Sequence, residues 1–200
     1  MKLMCVSVLR WNHDTDDAVL LDGAFNLDEY NFFQKGSVKE FMAFASKTVM
    51  KRTGGGISAV DYEGNMLFAV VQADGLGAIV MADKEYAPRV AVALAKEVLA
   101  AFKGAHAAAA WRAARTDYAY RLPALEGTLR EYQDPTKVDK VLRLDKQLGE
   151  TKDILVKTIE KVLERGEKLD ELVDKSAALS AQSKMFYKQA KKTNACCAVM

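Results

Sequence analysis

Val162-Leu163-Glu164-Arg165-Gly166-Glu167-Lys168-Leu169-Asp170-Glu171-Leu172 lies inside the longest unbroken pattern in this chain. Val162, Leu169 and Leu172 fall at steps of seven and three, so a helix would carry them on one face. The same three-and-four step runs outward in both directions. Upstream it picks out Val141, Leu144, Leu148, Thr151, Leu155 and Thr158; downstream it picks out Ser176, Leu179, Ser183, Phe186, Ala190 and Thr193. That is a heptad seam. It predicts a single amphipathic helix roughly 80 Å long, and no proline follows Pro135 to break it. Several seam residues are Ser, Thr or Ala, and Gly149 and Gly166 each cost about 1 kcal/mol against Ala. A helix so marginal is expected to order only against partner helices.

Arg165 interrupts the apolar seam midway. A buried guanidinium is costly unless its five N–H donors find acceptors. Partner helices presenting side-chain carbonyls at that level would satisfy it, and the layer would then fix register. The residues alone leave a second reading open, in which Arg165 faces solvent or marks a boundary between helices.

Before Asp134-Pro135 the character is mixed α/β. Lys2–Trp11 and Ala18–Phe25 read as strands around the polar turn Asn12–Asp17. A helix is predicted from Ser37 to about Arg52, with Ser37-Val38-Lys39-Glu40 as its capping box and Phe41, Phe44, Ala45, Thr48 and Val49 at helical spacing. Gly54-Gly55-Gly56 ends it. Strands Ile57–Tyr62, Met66–Gln72 and Gly77–Ala82 follow, separated by the turns Glu63-Gly64-Asn65 and Ala73-Asp74-Gly75. Helices are predicted over Glu85–Lys103, with Pro88 in the first turn, and over Leu122–Tyr132. The Ala-rich stretch Ala105–Ala114 reads either as a continuation of the first of these or as a connector. The fold class expected is α+β: an antiparallel five-stranded sheet with helices packed on it, followed by the long helix.

The chain closes on Cys196-Cys197-Ala198-Val199-Met200. A cysteine, two small aliphatic residues and a terminal Met form a C-a-a-X box, in which Met favours farnesyl on Cys197. Cys196 offers a thiol for palmitate or another second lipid. One lipid gives marginal, reversible membrane binding, whereas two anchor stably. The remaining Cys5 has no evident disulfide partner, which fits a reducing compartment. No apolar run approaches the ~20 residues of a membrane span, and the N-terminus lacks a secretion signal. The expected location is therefore the cytosol or the cytosolic face of a membrane. A formal net charge of +2 over 200 residues gives no sign of a nucleic-acid partner. Lys184, Lys188, Lys191 and Lys192 form a solvated face that can also meet anionic headgroups beside a lipid anchor.

Val162–Leu172, Lys184-Met185-Phe186-Tyr187 and the Cys-Cys-Ala-Val-Met ending together resemble the lipid-anchored R-SNAREs of the longin type. The β-β-α-β-β-β-α-α order of the first part is similar to the longin fold. The resemblance covers essentially the whole chain. It implies a longin domain over 1–134, an R-SNARE coiled-coil motif over 135–195 and a lipidation signal over 196–200. It implies that Arg165 is the central zero-layer arginine, facing three glutamines from Q-SNARE partner helices. Seven seam residues precede it and eight follow, the layer count of the family. The longin domain is expected to fold back in cis on the unpaired SNARE segment and inhibit it. Phe44 matches the family's apolar contact there, while periodicity alone lets Phe41 and Phe44 be core. A prenyl transferase is an implied partner. The implied sites of action are the cytoplasmic faces of Golgi, endoplasmic reticulum and endosomal or vacuolar membranes. Ala105–Arg115 departs from the family pattern, in which this loop is more varied.

No catalytic, metal or cofactor role is expected. Gly75-Leu76-Gly77 lacks the third glycine of a dinucleotide loop, and Gly54-Gly55-Gly56 lacks the Gly-Lys-Ser/Thr of a phosphate loop, which also argues against a prenylated small GTPase. His13 and His106 have no Cys or acidic partner at ligand spacing. No nucleophile–base set is visible in sequence. The predicted function is thus assembly: an R-SNARE that drives vesicle fusion through a four-helix bundle. The rival is a prenylated longin-type adaptor that binds SNAREs or coats without fusing membranes.

Overall fold

The computed structural model describes residues 2–12, 14–62, 64–134, 154 and 156–197, the last five as backbone only. Strands β1 (Leu3–Asn12), β2 (Asp17–Phe25), β3 (Gly56–Tyr62), β4 (Asn65–Val71) and β5 (Leu76–Asp83) form an antiparallel sheet in the order β2-β1-β5-β4-β3. The register is set by pairs such as Val6↔Val80 and Phe68↔Val80.

Helices cover both faces, so the central strands are buried on both sides and read as nearly continuous apolar runs rather than alternating ones. On one face, Val6, Val8, Phe68, Ala78 and Val80 pack under α2 (Pro88–Ala105) through Val90, Leu94, Val98 and Phe102. On the other, Cys5, Leu9, Leu67, Ile79 and Met81 pack under α1 (Phe32–Thr53) through Val38, Met42, Ala45 and Val49. Gly77 lets α1 lie on the sheet: a Cβ there would stand 2.7 Å from both Met50 Sδ and Cε. Gly75, at φ +84°, makes the preceding turn, where Trp11 N–H donates to its carbonyl at 2.8 Å.

Helix α1 begins five residues before the predicted start. Its capping box is Asn31 with Gln34, and Ser37 is buried within the helix. Asn31 Oδ1 accepts from Gln34 N–H while Gln34 Oε1 accepts from Asn31 N–H, which satisfies two orphan donors. The Ser37–Glu40 spacing is a chance match, and Glu40 is left for another use. The Ala-rich stretch does not extend α2. His106 ends it, and α3 (Ala108–Arg112) follows as one turn that buries Trp111. His106 is structural: it contacts the Phe102 and Tyr120 rings and the Arg121 carbonyl. His13 lies outside the described residues. Helix α4 (Leu125–Glu131) completes this part.

Beyond it the predicted single helix is not found among the described residues. A short strand, β6 (Val156–Thr158), joins the sheet as a sixth, pairing in parallel with β3. Three helices then follow: α5 (Ile159–Val162), α6 (Leu169–Lys175) and α7 (Ala181–Cys197). The physical reason is local. Gly166 takes φ +91°, which no helix allows, and the half of the sequence that had no partner helix now has the α1 side of the sheet instead.

Candidate functional site

The segment from Val156 to Lys192 wraps α1 and the β3 edge. Ile159, Leu163, Leu169, Val173, Leu179 and Tyr187 are buried there, joined to the same apolar cluster as α1, and Ser183 is buried with them. This face only partly coincides with the heptad seam. Of the seam residues, Leu169, Leu179 and Ser183 are buried. Val162, Leu172, Ser176, Phe186 and Ala190 are half-buried, and Thr158 and Arg165 are exposed. Val141, Leu144, Leu148, Thr151 and Leu155 lie outside the described residues, as do the side chains of Thr193, Cys196 and Cys197.

The offset has a legible cause. Ile159, Leu163, Val173 and Tyr187 each stand one residue after a seam position, so the apolar stripe is wider than a strict seam. The wider stripe allows the segment to use one edge against α1 and another elsewhere.

Phe41 and Phe44 both meet the segment. Phe41 stacks on Tyr187 with ring centroids 5.1 Å apart and meets Tyr62 edge-on at 5.9 Å. Phe44 lines a groove of about 320 Å³ together with Leu172, Ser176 and Ala178. Each buried aliphatic or aromatic side chain is worth roughly 1.5–3 kcal/mol, against roughly 0–1 for an exposed ion pair. Apolar burial therefore carries most of the docking energy, and polar contacts define where it occurs.

Those polar contacts were not foreseen in the sequence. Arg52, at the end of α1, forks onto Glu164 Oε1 at 2.5 Å and Glu167 Oε1 at 2.9 Å. The fork brackets Arg165, which stays in water on the turn. Three turns earlier on α1, Glu40 Oε2 accepts Ser183 Oγ–H at 2.6 Å and Ser180 N–H at 2.9 Å. Partial burial pushes this carboxyl up, but the hydrogen bonds from Ser183 and Ser180 outweigh it and hold Glu40 below the usual glutamate range. Within the segment, Asp170 on α6 accepts from Lys191 Nζ at 2.6 Å and Tyr187 Oη at 2.8 Å, and those bonds lower its pKa. Long-range carboxylate partners leave no periodic trace, so sequence offered no signal for Glu40 or Arg52.

Among the described residues no helix is long and apolar enough to cross a membrane. Cys5 is buried against Ser46 and the Met81 backbone. Desolvation pushes its thiol up to about 12, against the lowering from those two hydrogen bonds.

Residues 140–198 match the synaptobrevin family and residues 27–129 match the regulated-SNARE-like, or longin, domain. Similarity to curated relatives spans all of this chain and all of each relative. The chain is 45% identical over 202 residues to the synaptobrevin homolog YKT6 of Eremothecium gossypii. It is 43% identical over 200 residues to synaptobrevin homolog ykt6 of Schizosaccharomyces pombe, and 41% over 201 residues to VAMP-like protein YKT61 of Arabidopsis thaliana. The chain belongs to the longin-type R-SNAREs. The α+β fold class expected from the sequence is borne out: in this R-SNARE the longin match takes in α1, β3, β4, β5, α2 and α3, which share one sheet with β1 and β2, and a helical SNARE segment follows. The sixth strand is the segment's own contribution to the longin sheet.

Proposed function

We propose that this R-SNARE drives fusion of vesicle membranes by assembly, and that the docked arrangement is its inhibited form. The carrying observation is overlap. Leu169, Leu179 and Ser183 are seam residues, and all three are buried, the leucines in the apolar cluster of α1 and Ser183 against Glu40. A side chain cannot fill a bundle layer and the α1 surface at once, so docking and bundling exclude each other. Phe41 and Phe44 form the apolar floor of the inhibited state.

In the active state the segment zips with three Q-SNARE helices into a parallel bundle. Its layers are Val141, Leu144, Leu148, Thr151, Leu155, Thr158 and Val162 before Arg165, and Leu169, Leu172, Ser176, Leu179, Ser183, Phe186, Ala190 and Thr193 after it. Arg165 supplies donors to partner glutamines at the zero layer. Its exposure on a turn when docked supports this reading, because the guanidinium stays solvated until partner acceptors are in place. Farnesyl on Cys197, added by a prenyl transferase, and a second lipid on Cys196 hold the chain to the cytosolic face of organelle membranes. Bundle formation then pulls on the bilayer through them.

The test is reconstituted fusion of liposomes carrying the lipidated chain with liposomes carrying partner Q-SNAREs. Lipid mixing that requires the segment supports a fusion-driving R-SNARE. Tight Q-SNARE binding with no lipid mixing means that the chain is a regulatory adaptor instead.

A further inference from the structure

Helix α7 starts at Ala181, which makes Ser180 its N-cap. Ser183 N–H donates to Ser180 Oγ at 3.2 Å, which is one half of a capping box. The other half needs a side-chain acceptor at the third helical position reaching back to the cap's own N–H. That position is Ser183, whose hydroxyl instead points to a carboxylate on another element. Glu40, on α1, accepts the Ser180 N–H at 2.9 Å and the Ser183 Oγ–H at 2.6 Å. The two serine hydroxyls also lie 2.9 Å apart, and the group is closed.

We propose that Glu40 completes a capping box divided between two elements, and that this contact fixes the register at which the SNARE segment docks on the longin domain. Apolar contacts are non-directional: a segment displaced by a turn still buries leucines. Two hydrogen bonds from Ser180 and Ser183 that converge on one carboxylate oxygen do not slide. Glu40 also sits at the positive end of a seventeen-residue helix, where a carboxylate is favoured. Ser183 is fully buried, so if Glu40 is lost its hydroxyl keeps only Ser180 Oγ, 2.9 Å away, in place of a carboxylate. The α1 surface therefore selects a helix that begins Ser-x-x-Ser. A helix beginning Ser-x-x-Glu would cap itself and bring a second carboxylate against Glu40, so the longin domain would reject it.

The inference rests on the proposed reading that the docked segment is the one withheld from partners, but its test uses the full chain alone, without lipids or partner SNAREs. Three variants are compared: Glu40→Lys, Ser183→Glu, and both together. Hydrogen exchange is followed across 169–187, with β1 and β5 as controls for folding, and the radius is followed by solution scattering. Each single variant is expected to raise exchange across the segment by about tenfold or more and to enlarge the molecule, with the sheet still protected. Together the two changes set an ammonium opposite a carboxylate across the same contact and should restore protection and radius. Unchanged protection in Glu40→Lys overturns the proposal. So does a double variant as open as either single one, because that would mean the two sites do not meet in the lock. A wild-type chain that closes but fails to fuse liposomes would count against the proposed function and leave this contact standing.

Discussion

Gly166 is the position where the two states of the segment make opposite demands on one residue. In the docked form it takes φ +91°, between Glu164 and Glu167, the two carboxylates held by Arg52. In a continuous bundle helix it must take φ near −63°. Gly166→Ala penalises the first and favours the second. A Cβ on a positive-φ residue costs roughly 1–2 kcal/mol. Ala in a helix interior gains about 1 kcal/mol over Gly. The effects act in the same direction, so the docked-to-open equilibrium should move by about 2–3 kcal/mol, or roughly 30- to 160-fold. A Cβ at this position would meet no atom within 4 Å, so the effect is conformational and not a packing clash.

The assay is exchange protection across 159–187 together with the rate of Q-SNARE binding. Gly166→Ala should lose protection there and bind faster, with β1, β4 and β5 unchanged. Gly166→Asn, which tolerates positive φ better, should fall between Ala and wild type. Equal protection in Gly166→Ala and wild type would refute the argument, since it would mean that the turn is not a cost the docked form bears.

Three further outcomes are expected. Phe44→Glu places a charge on the apolar floor beside Leu172 and Ala178, and should open the segment with the longin sheet intact, seen as faster exchange and a larger radius in solution. Cys197→Ser should abolish membrane retention altogether, whereas Cys196→Ser should leave weak, reversible binding; fractionation of expressing cells measures both. Acid should release the segment. Glu40 and Asp170 are held below their ordinary values of 4.5 and 3.8 when docked, so their contribution is complete above about pH 4.5 and is lost as pH falls through the lowered values, and Glu40→Gln should flatten that dependence of exchange on pH.

Strands and helices of the longin part were legible because each carries its own period. β4 and β5 are near-continuous apolar runs between turns, and α2 begins at a proline that only a first turn accepts. The start of α1 was not legible, because two boxes compete within ten residues. Asn31 with Gln34 caps the helix, while Ser37 with Glu40 has the same spacing. Only the fold decides between them: Phe32 and Phe33 are 84% and 79% exposed, so the first turn of α1 carries no apolar periodicity to betray it.

The segment is a harder case, and for a different reason. Its heptad pattern suits the proposed state in which partner helices surround it, since the pattern repeats through Arg165 without regard to α1. The docked state uses Ile159, Leu163, Val173 and Tyr187 in addition, and turns Thr158 and Arg165 to water. One sequence thus encodes two faces offset by a residue, sharing Leu169, Leu179 and Ser183. Sharing is what couples them: had the faces been disjoint, the longin part could hold the segment while partners zipped along the other side, and docking would inhibit nothing. Ser183 bears this most directly. It is small enough for a bundle layer, yet its hydroxyl is the group that Glu40 accepts when docked. An apolar residue there would favour the proposed bundle and leave Glu40 facing a helix start with one fewer donor, so under the proposed function a serine in an apolar seam reconciles the docked and bundled states.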